Sequence, residues 1–378
     1  MLALAPNTWN GPWMNRQQLL SRLGRRHVIL YSSGPTLREQ TLPDSSRIRW
    51  NPRLVSQDNV TVDLLPKWMA YTQRRPLLGA LTMRLLTRRW RRYLDSPGGG
   101  PLVGWFFHPR YWPYVTYLKP DRLVYHAYDL YHLQGRWDAT RADQERQFAQ
   151  RADLVVASSP QIAGYLSQLG AQSPVVIENA VDYSDFAIDT SRTSEPADLQ
   201  PVPHPRLGYT GALNRKVDFP LLAWLAGRHP EWHVVLIGKL GNLDVETRRA
   251  LDQLGGLPNV HLLGFKPHHE LPEYVARMDV NLLAYRLTPG VWTEGIYPLK
   301  LHEYLAVGRP VVSADLPAVR AFGKVIHIVQ QSEDWEAAIA ASLRDTGTDA
   351  EERRRAVARA NDWDARVEVL DQIMVRRL

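Results

Sequence analysis

Short apolar runs alternate with longer stretches of helical period along most of this chain, and that alternation predicts its elements. In the first half, Leu2–Pro6, His27–Ser32, Val60–Leu65, Leu102–Phe107, Arg122–His126, Leu154–Ser158 and Val175–Glu178 read as buried strands. Helices are expected between them at Asn15–Arg25, Asp138–Ala152 and Pro160–Leu169. A second series opens with Arg206-Leu207-Gly208-Tyr209-Thr210 and continues through His233–Ile237, Val260–Leu263, Val280–Ala284, Pro310–Ser313 and Val325–Val329. Apolar strands separated by helices are the pattern of parallel sheets covered on both faces, so the class is α/β. Residues 189–205, rich in Pro, Ser and Asp and without period, read as a linker. At 378 residues the chain exceeds one ordinary core. The expected division is an N-terminal domain of residues 1–188, the linker, a second domain of 206–350 and a terminal helix in 351–378.

Composition narrows the chemistry. There is no cysteine, which removes disulfides, thiolate metal sites and cysteine catalysis. Met1-Leu2-Ala3-Leu4-Ala5-Pro6-Asn7 lacks a basic n-region, and no later run approaches membrane-spanning length, so a soluble or peripherally attached protein is expected. The net charge is +7, and from Arg74 to Arg92 there are seven arginines and no acid. On a helical wheel Arg84, Arg88, Arg91 and Arg92 share one face, and Met83, Leu86, Trp90 and Leu94 share the other. That pattern suits a helix lying on anionic lipid, and equally a surface helix packed on its own domain. No helix-turn-helix, zinc-finger or RNA-recognition signature accompanies the charge, so nucleic acid is not an expected partner.

One block carries candidate chemistry. In Tyr297-Pro298-Leu299-Lys300-Leu301-His302-Glu303-Tyr304-Leu305-Ala306-Val307-Gly308-Arg309-Pro310-Val311-Val312, a loop with Pro298 enters a helix that stops at Gly308, and a buried strand follows. The N–H groups around Leu299 and the Lys300 ammonium suit an anion such as a diphosphate. Glu303, one turn on, can accept hydrogen bonds from two adjacent hydroxyls, as a ribose presents them. Pro, Gly and an apolar strand also make an ordinary helix-to-strand junction, and the length and order of the run are what set it apart. It resembles the nucleotide-binding segment of two-domain GT-B glycosyltransferases, particularly glycosyltransferase family 4 and its bacterial polysaccharide relatives. The common family pattern has a second Glu where this chain has Gly295, with Glu294 one place earlier.

The resemblance implies a GT-B fold, in which two Rossmann-like domains face each other across a cleft and a terminal helix crosses back to the N-terminal domain. It implies a donor site made by Gly211 with Arg215 or Lys216, by Phe265 in Gly264-Phe265-Lys266-Pro267, and by Pro298, Leu299, Lys300 and Glu303. The loop Val124-Tyr125-His126-Ala127-Tyr128-Asp129 resembles the Tyr-x-Ala-Ser-Asp stretch of the bacterial xanthan-type glucuronosyltransferase, which makes Asp129 the candidate base of an inverting transfer. A retaining course would instead favour His126 or His108 near the sugar. Trp9, Trp112, Trp90 and the arginines Arg84, Arg88 and Arg91 are candidates for acceptor or membrane contact. The implied reaction moves a sugar from a nucleoside diphosphate donor to a hydroxyl of a lipid-linked or surface glycan in bacterial polysaccharide synthesis. The implied setting is cytoplasmic, peripheral on the inner face of the plasma membrane, with no cofactor and no bound metal. Asp362-Trp363-Asp364 spells the Asp-x-Asp of metal-dependent enzymes of the other major fold, but two acids at a helix start are explained by capping. The alternatives are a GT-B-fold nucleotide-sugar epimerase, which needs paired acids around the sugar, and a non-catalytic glycan- or membrane-binding relative.

Overall fold

The computed structural model of the chain describes residues 1–36, 51–72, 74–95, 100–133, 137–241, 243–287 and 292–378. It divides into two compact units, Met1–Glu178 with Arg366–Leu378, and Asn179–Ala365.

The first unit is built on strands β1 (Leu2–Leu4), β2 (Leu30–Ser32), β3 (Arg53–Gln57), β4 (Val60–Leu64), β5 (Val103–Phe106), β6 (Arg122–Ala127), β7 (Leu154–Ala157) and β8 (Val175–Val176). Their order is β3-β4-β2-β1-β5-β6-β7-β8, parallel throughout except for the β3–β4 hairpin. That hairpin turns on Asp58 and Asn59, both at positive φ, as a two-residue turn requires. β3 escapes the apolar pattern because Arg53-Leu54-Val55-Ser56-Gln57 is a half-exposed edge strand with no buried run. The second unit has β9 (Arg206–Thr210), β10 (His233–Ile237), β11 (Val260–Gly264), β12 (Val280–Leu283), β13 (Val311–Ala314) and β14 (His327–Val329), all parallel, in the order β11-β10-β9-β12-β13-β14.

Each order reverses direction once among the parallel strands, between β1 and β5 in the first unit and between β9 and β12 in the second. In open parallel sheets, ligands bind outside the strand ends at such a reversal, because the flanking connections leave to opposite faces and open a crevice. Two crevices are thereby placed. One is bordered by the loops after β1 and β5, the other by those after β9 and β12.

Several expectations are corrected. Residues 189–205 are not a free linker: Leu199 and Val202 are buried against Val235, Ile237, Tyr274 and Met278 of the second unit. Polar ties explain why the polar composition misleads, since Glu195 pairs with Arg206, Asp198 with Lys266 and Thr193 with Arg277. The terminal helix is two helices, Thr348–Ala360 and Trp363–Arg377. The first covers the Lys300–Ala306 helix, and Gly308 has no room for a Cβ because Glu351 and Arg355 lie against it. The second joins the first unit, where Glu368 and Asp371 bind Arg26, Asp371 also meets His27, and Arg366 pairs with Glu178. The expected loop after β5 holds a helix over Trp112–Leu118.

The arginine-rich segment is the helix Pro76–Leu94, and its Leu86 and Trp90 face the core of its own unit. Trp90 is fully buried, its indole N–H donating to Asp63 Oδ2 at 2.6 Å, so it faces neither lipid nor glycan. Trp9 is likewise 2% exposed and donates to Asp58. Arg91 is spent on the carbonyls of Leu118 and Lys119 that end the neighbouring helix.

Candidate active site

The crevice of the second unit is assembled from consecutive strand exits. After β9 the chain turns at Gly211, φ +128°, whose N–H donates to the Ile237 carbonyl at 2.7 Å. After β10, Gly238, φ +155°, donates to Gly264 in the same way at 2.8 Å. A Cβ on Gly238 would stand 1.8 Å from the Gly211 carbonyl oxygen, so this turn can hold only glycine.

Against Gly211 lies Lys300, the first residue of the Lys300–Ala306 helix. Its Nζ sits 3.9 Å from the Tyr209 ring centroid and 5.5 Å from that of Tyr285, so β9 and the exit of β12, on the two sides of the reversal, hold the ammonium. A Cβ at position 211 would come within 2.6 Å of that nitrogen and displace it, and the φ of +128° is one that only glycine adopts without strain. Enclosure draws the Lys300 pKa down to about 7, with Lys216 adding to the effect and Glu303 opposing it. An ammonium so placed gains strongly from an incoming anion. The helix is fastened by Tyr304, fully buried, whose hydroxyl accepts the Thr210 N–H at 2.9 Å. Its entry is fixed by Asn179, which donates to the Tyr297 carbonyl at 2.7 Å, and by the Tyr297 hydroxyl against His302 Nε2 at 2.8 Å.

Glu303 lies one turn into the helix, with His268 Nε2 3.5 Å from its Oε1. The carboxylate raises the His268 pKa, so the imidazole carries charge more readily than an isolated one. His268 closes the loop that begins at Gly264, φ +70°, where Phe265 is exposed and its ring is covered by the Lys239 ammonium at 4.1 Å. Lys216 lies close enough to Lys300 to be felt electrostatically, and Arg215 is exposed beside it. Sequence reasoning thus brought Gly211, Lys216, Lys300 and Glu303 to one place; it missed His268, Tyr209, Tyr285 and Lys239. The last three follow from the strand order alone, since ring and cation contacts across β9, β12 and β10 leave no trace in local spacing.

The crevice of the first unit differs from expectation. His126 is fully buried on β6, its ring layered with Trp105 at 6.0 Å and Phe107 at 5.1 Å, and neither ring nitrogen has a hydrogen-bond partner among the described residues. Burial lowers its pKa to about 3. It is a neutral core imidazole without access to a sugar. His108 is at the rim: Nδ1 accepts the Arg110 N–H at 3.1 Å, which places the neutral ring's proton on Nε2. Burial, with the charges of Arg110 and Arg141, lowers its pKa to about 3, so it stays neutral and can donate from Nε2. Asp129 is half-buried, two residues past the end of β6 and beside Tyr128 and Tyr131, whose pKa values are raised by burial first, with the Asp129 charge adding to the effect. Trp112 packs edge-on to Phe148 with Arg151 over its ring, a packing role rather than an open platform.

Arg16 and Gln17 follow the loop after β1. Gln17 is structural, its amide holding the Trp9 and Pro12 carbonyls. Arg16 is fully buried, with Nη2 on Met14 Sδ, Nε and Nη1 without a partner among the described residues, and its guanidinium 5.6 Å from the Tyr128 ring. Asp362 is occupied by backbone, accepting the Tyr183 and Asp364 N–H groups, in keeping with a capping role. Among the described residues no group of three His, Asp or Glu side chains could hold a metal ion.

Comparison with known proteins agrees with this geometry. Residues 204–346, which hold the whole Lys300 crevice, match the family described as glycosyl transferases group 1. Over 287 residues the chain is 27% identical to a protein provisionally named teichuronic acid biosynthesis glycosyltransferase TuaH, of Bacillus subtilis, covering 71% of this chain and 70% of the relative. Among solved structures, Anabaena HepE in complex with UDP and glucose superposes with a TM-score of 0.69 at 16% identity, covering 99% of this chain and 98% of the other. Sucrose-phosphate synthase from Thermosynechococcus elongatus gives 0.70, also at 16% identity and with the same coverage. The structural matches establish the fold, and the sequence matches give it a reaction class: the chain is a glycosyltransferase of the GT-B fold.

Proposed function

We propose that the chain transfers a sugar from a nucleoside diphosphate donor, held by the second unit, to a hydroxyl of a lipid-linked or surface glycan. The observation that carries this is the Lys300 ammonium, set between Tyr209 and Tyr285 against Gly211 with Glu303 one turn on. Lys300, with Lys216 and Arg215 beside it, would neutralise the departing diphosphate, a task a bound metal performs elsewhere. Glu303 would hold the ribose, oriented by His268, and Phe265 would border the base. Asp129 is the proposed base of an inverting transfer, and His108 the proposed sugar contact of a retaining one. A glycan acceptor accords with the name of the relative, which refers to teichuronic acid biosynthesis.

The test is thermal stability against UDP, GDP, dTDP, ADP and CMP, with and without EDTA, for the wild type and Glu303→Ala. A diphosphate at about a hundred times its dissociation constant should stabilise the fold by roughly 2.7 kcal/mol. The expected result is a shift with one diphosphate that survives EDTA and is lost in the variant. No shift with any of them would overturn the donor assignment, and a shift abolished by EDTA would overturn the metal-independent account. Asp129→Asn should keep the shift and lose transfer if the course is inverting.

A further inference from the structure

Although Leu86 and Trp90 of the Pro76–Leu94 helix are turned into the core, its opposite face is not polar. Leu77 is 87% exposed, Leu81 and Leu85 are each 53% and Leu78 is 47%. The short helix before it, Trp68–Thr72, adds Trp68 and Tyr71, 46% and 53% exposed. At 100° per residue, Leu77, Leu78, Leu81 and Leu85 fall within about 60° of the Leu81 direction, and Arg84, Arg88 and Arg92 continue the same stripe. The stripe is leucine at the N-terminal half of the helix and arginine at the C-terminal half, over roughly 22 Å. Arg74 and Arg75 close its other end, and no acidic residue occurs from Leu64 to Leu94. None of Arg74, Arg75, Arg84, Arg88 and Arg92 pairs with a carboxylate among the described residues.

We propose that this stripe is where the enzyme docks on an anionic bilayer surface, with the leucines and Trp68 entering the headgroup boundary and the arginines meeting lipid phosphates. Exposed leucines cost free energy in water that burial in the boundary would recover, and arginines beside them supply the attraction that one apolar row alone lacks. Trp and Tyr at the edge of the patch are the side chains that settle at a membrane interface. A second copy of the chain is a poor occupant, because a two-fold contact through this face would set arginine against arginine with no acid to answer them. No described helix is long and apolar enough to cross a membrane, so attachment through this face would be peripheral. The surface provides the membrane side of the lipid-linked acceptor proposed above, and it rests on that reading only for the acceptor's identity.

The experiment is flotation of the full chain with vesicles of phosphatidylcholine alone or with roughly a third phosphatidylglycerol, at low and at about 0.5 M salt. The wild type should float with the anionic vesicles, not with the neutral ones, and be released by salt. Leu77→Ser/Leu81→Ser/Leu85→Ser should weaken partitioning at least tenfold, and Arg84→Glu/Arg88→Glu by a similar factor. All five positions are exposed, so the variants should melt with the wild type. Failure of the wild type to bind, equal binding to both vesicles, or binding unchanged in both variants would overturn the proposal. So would a wild-type dimer that the leucine variant converts to monomer. Glu303→Ala separates the two proposals: it should lose the nucleotide shift yet float normally, whereas the leucine variant should keep the shift and lose flotation.

Discussion

The depressed pKa of Lys300 makes donor affinity a function of pH, with a sign and size that follow from the site. At a pKa of about 7 the side chain is half protonated at neutrality and about 1% protonated at pH 9. A nucleoside diphosphate sugar carries two singly ionised phosphates, each esterified once and joined by an anhydride, with no proton to exchange near neutrality, so the pH response belongs to the protein. Seated beside the diphosphate, the ammonium is stabilised and its pKa climbs back toward the ordinary lysine value, so binding above pH 7 must draw a proton from solvent. With the bound-state pKa above 9, the dissociation constant should rise about fiftyfold between pH 7 and pH 9, equivalent to roughly 2.3 kcal/mol. Below pH 6 it should be level. Isothermal titration calorimetry over pH 6 to 9 in two buffers of different ionisation heat reads both the constant and the proton uptake. Lys300→Met should bind weakly at every pH, with a flat profile and no uptake from this site. A wild-type profile flat to within twofold, or a variant that keeps the full slope, would refute the argument. Without donor the linkage has the opposite consequence. Between pH 7 and 10.5 the unfolded chain holds a proton the folded one has shed, so stability should rise with pH there.

Two further outcomes are expected. Glu145, 1% exposed, accepts from Tyr125 at 2.7 Å and Tyr165 at 3.0 Å, and burial lifts its pKa to about 7. An acid with a raised folded pKa contributes stability below pH 4.5 that is lost as pH climbs through 7, here roughly 3 kcal/mol. Urea unfolding of Glu145→Gln should therefore lack this dependence, and parallel curves for both proteins would refute it. Gly211→Ala forces a Cβ to within 2.6 Å of Lys300 Nζ at φ +128°, so it should abolish the nucleotide-induced thermal shift and destabilise by about 1–3 kcal/mol. A variant that still shifts with nucleotide would show that Lys300 is not held where the structure puts it.

The second unit was legible in sequence where its central strands β9, β10, β12 and β13 are buried and read as apolar runs. Arg206–Thr210 and His233–Ile237 are strands with the boundaries expected of them. The helix from Lys300 ends with Gly308 in the left-handed conformation, as the position of a glycine before Arg309-Pro310 implied. Legibility fell where burial is partial. β3 has no apolar period to read, the Trp112–Leu118 helix hides behind two prolines, and the polar residues of 189–205 are neutralised by partners from distant strands.

By itself the sequence determined the α/β class, two parallel sheets, and a cation and a carboxylate one helical turn apart beside a glycine turn. These are local facts: period, caps and spacing act over a few residues, and the chain spells them directly. Tertiary structure decided which faces are inside. The wheel of the Pro76–Leu94 helix offers two apolar rows, and only packing shows that Leu86 and Trp90 are core while Leu77, Leu81 and Leu85 meet solvent. His126 and His108 look alike as residues near strand ends, and only the layer of Trp105 and Phe107 takes the first out of reach. The low pKa of Lys300 belongs to the same class, since it depends on rings from β9 and the end of β12, which meet across the sheet reversal and are some 75 residues apart in sequence.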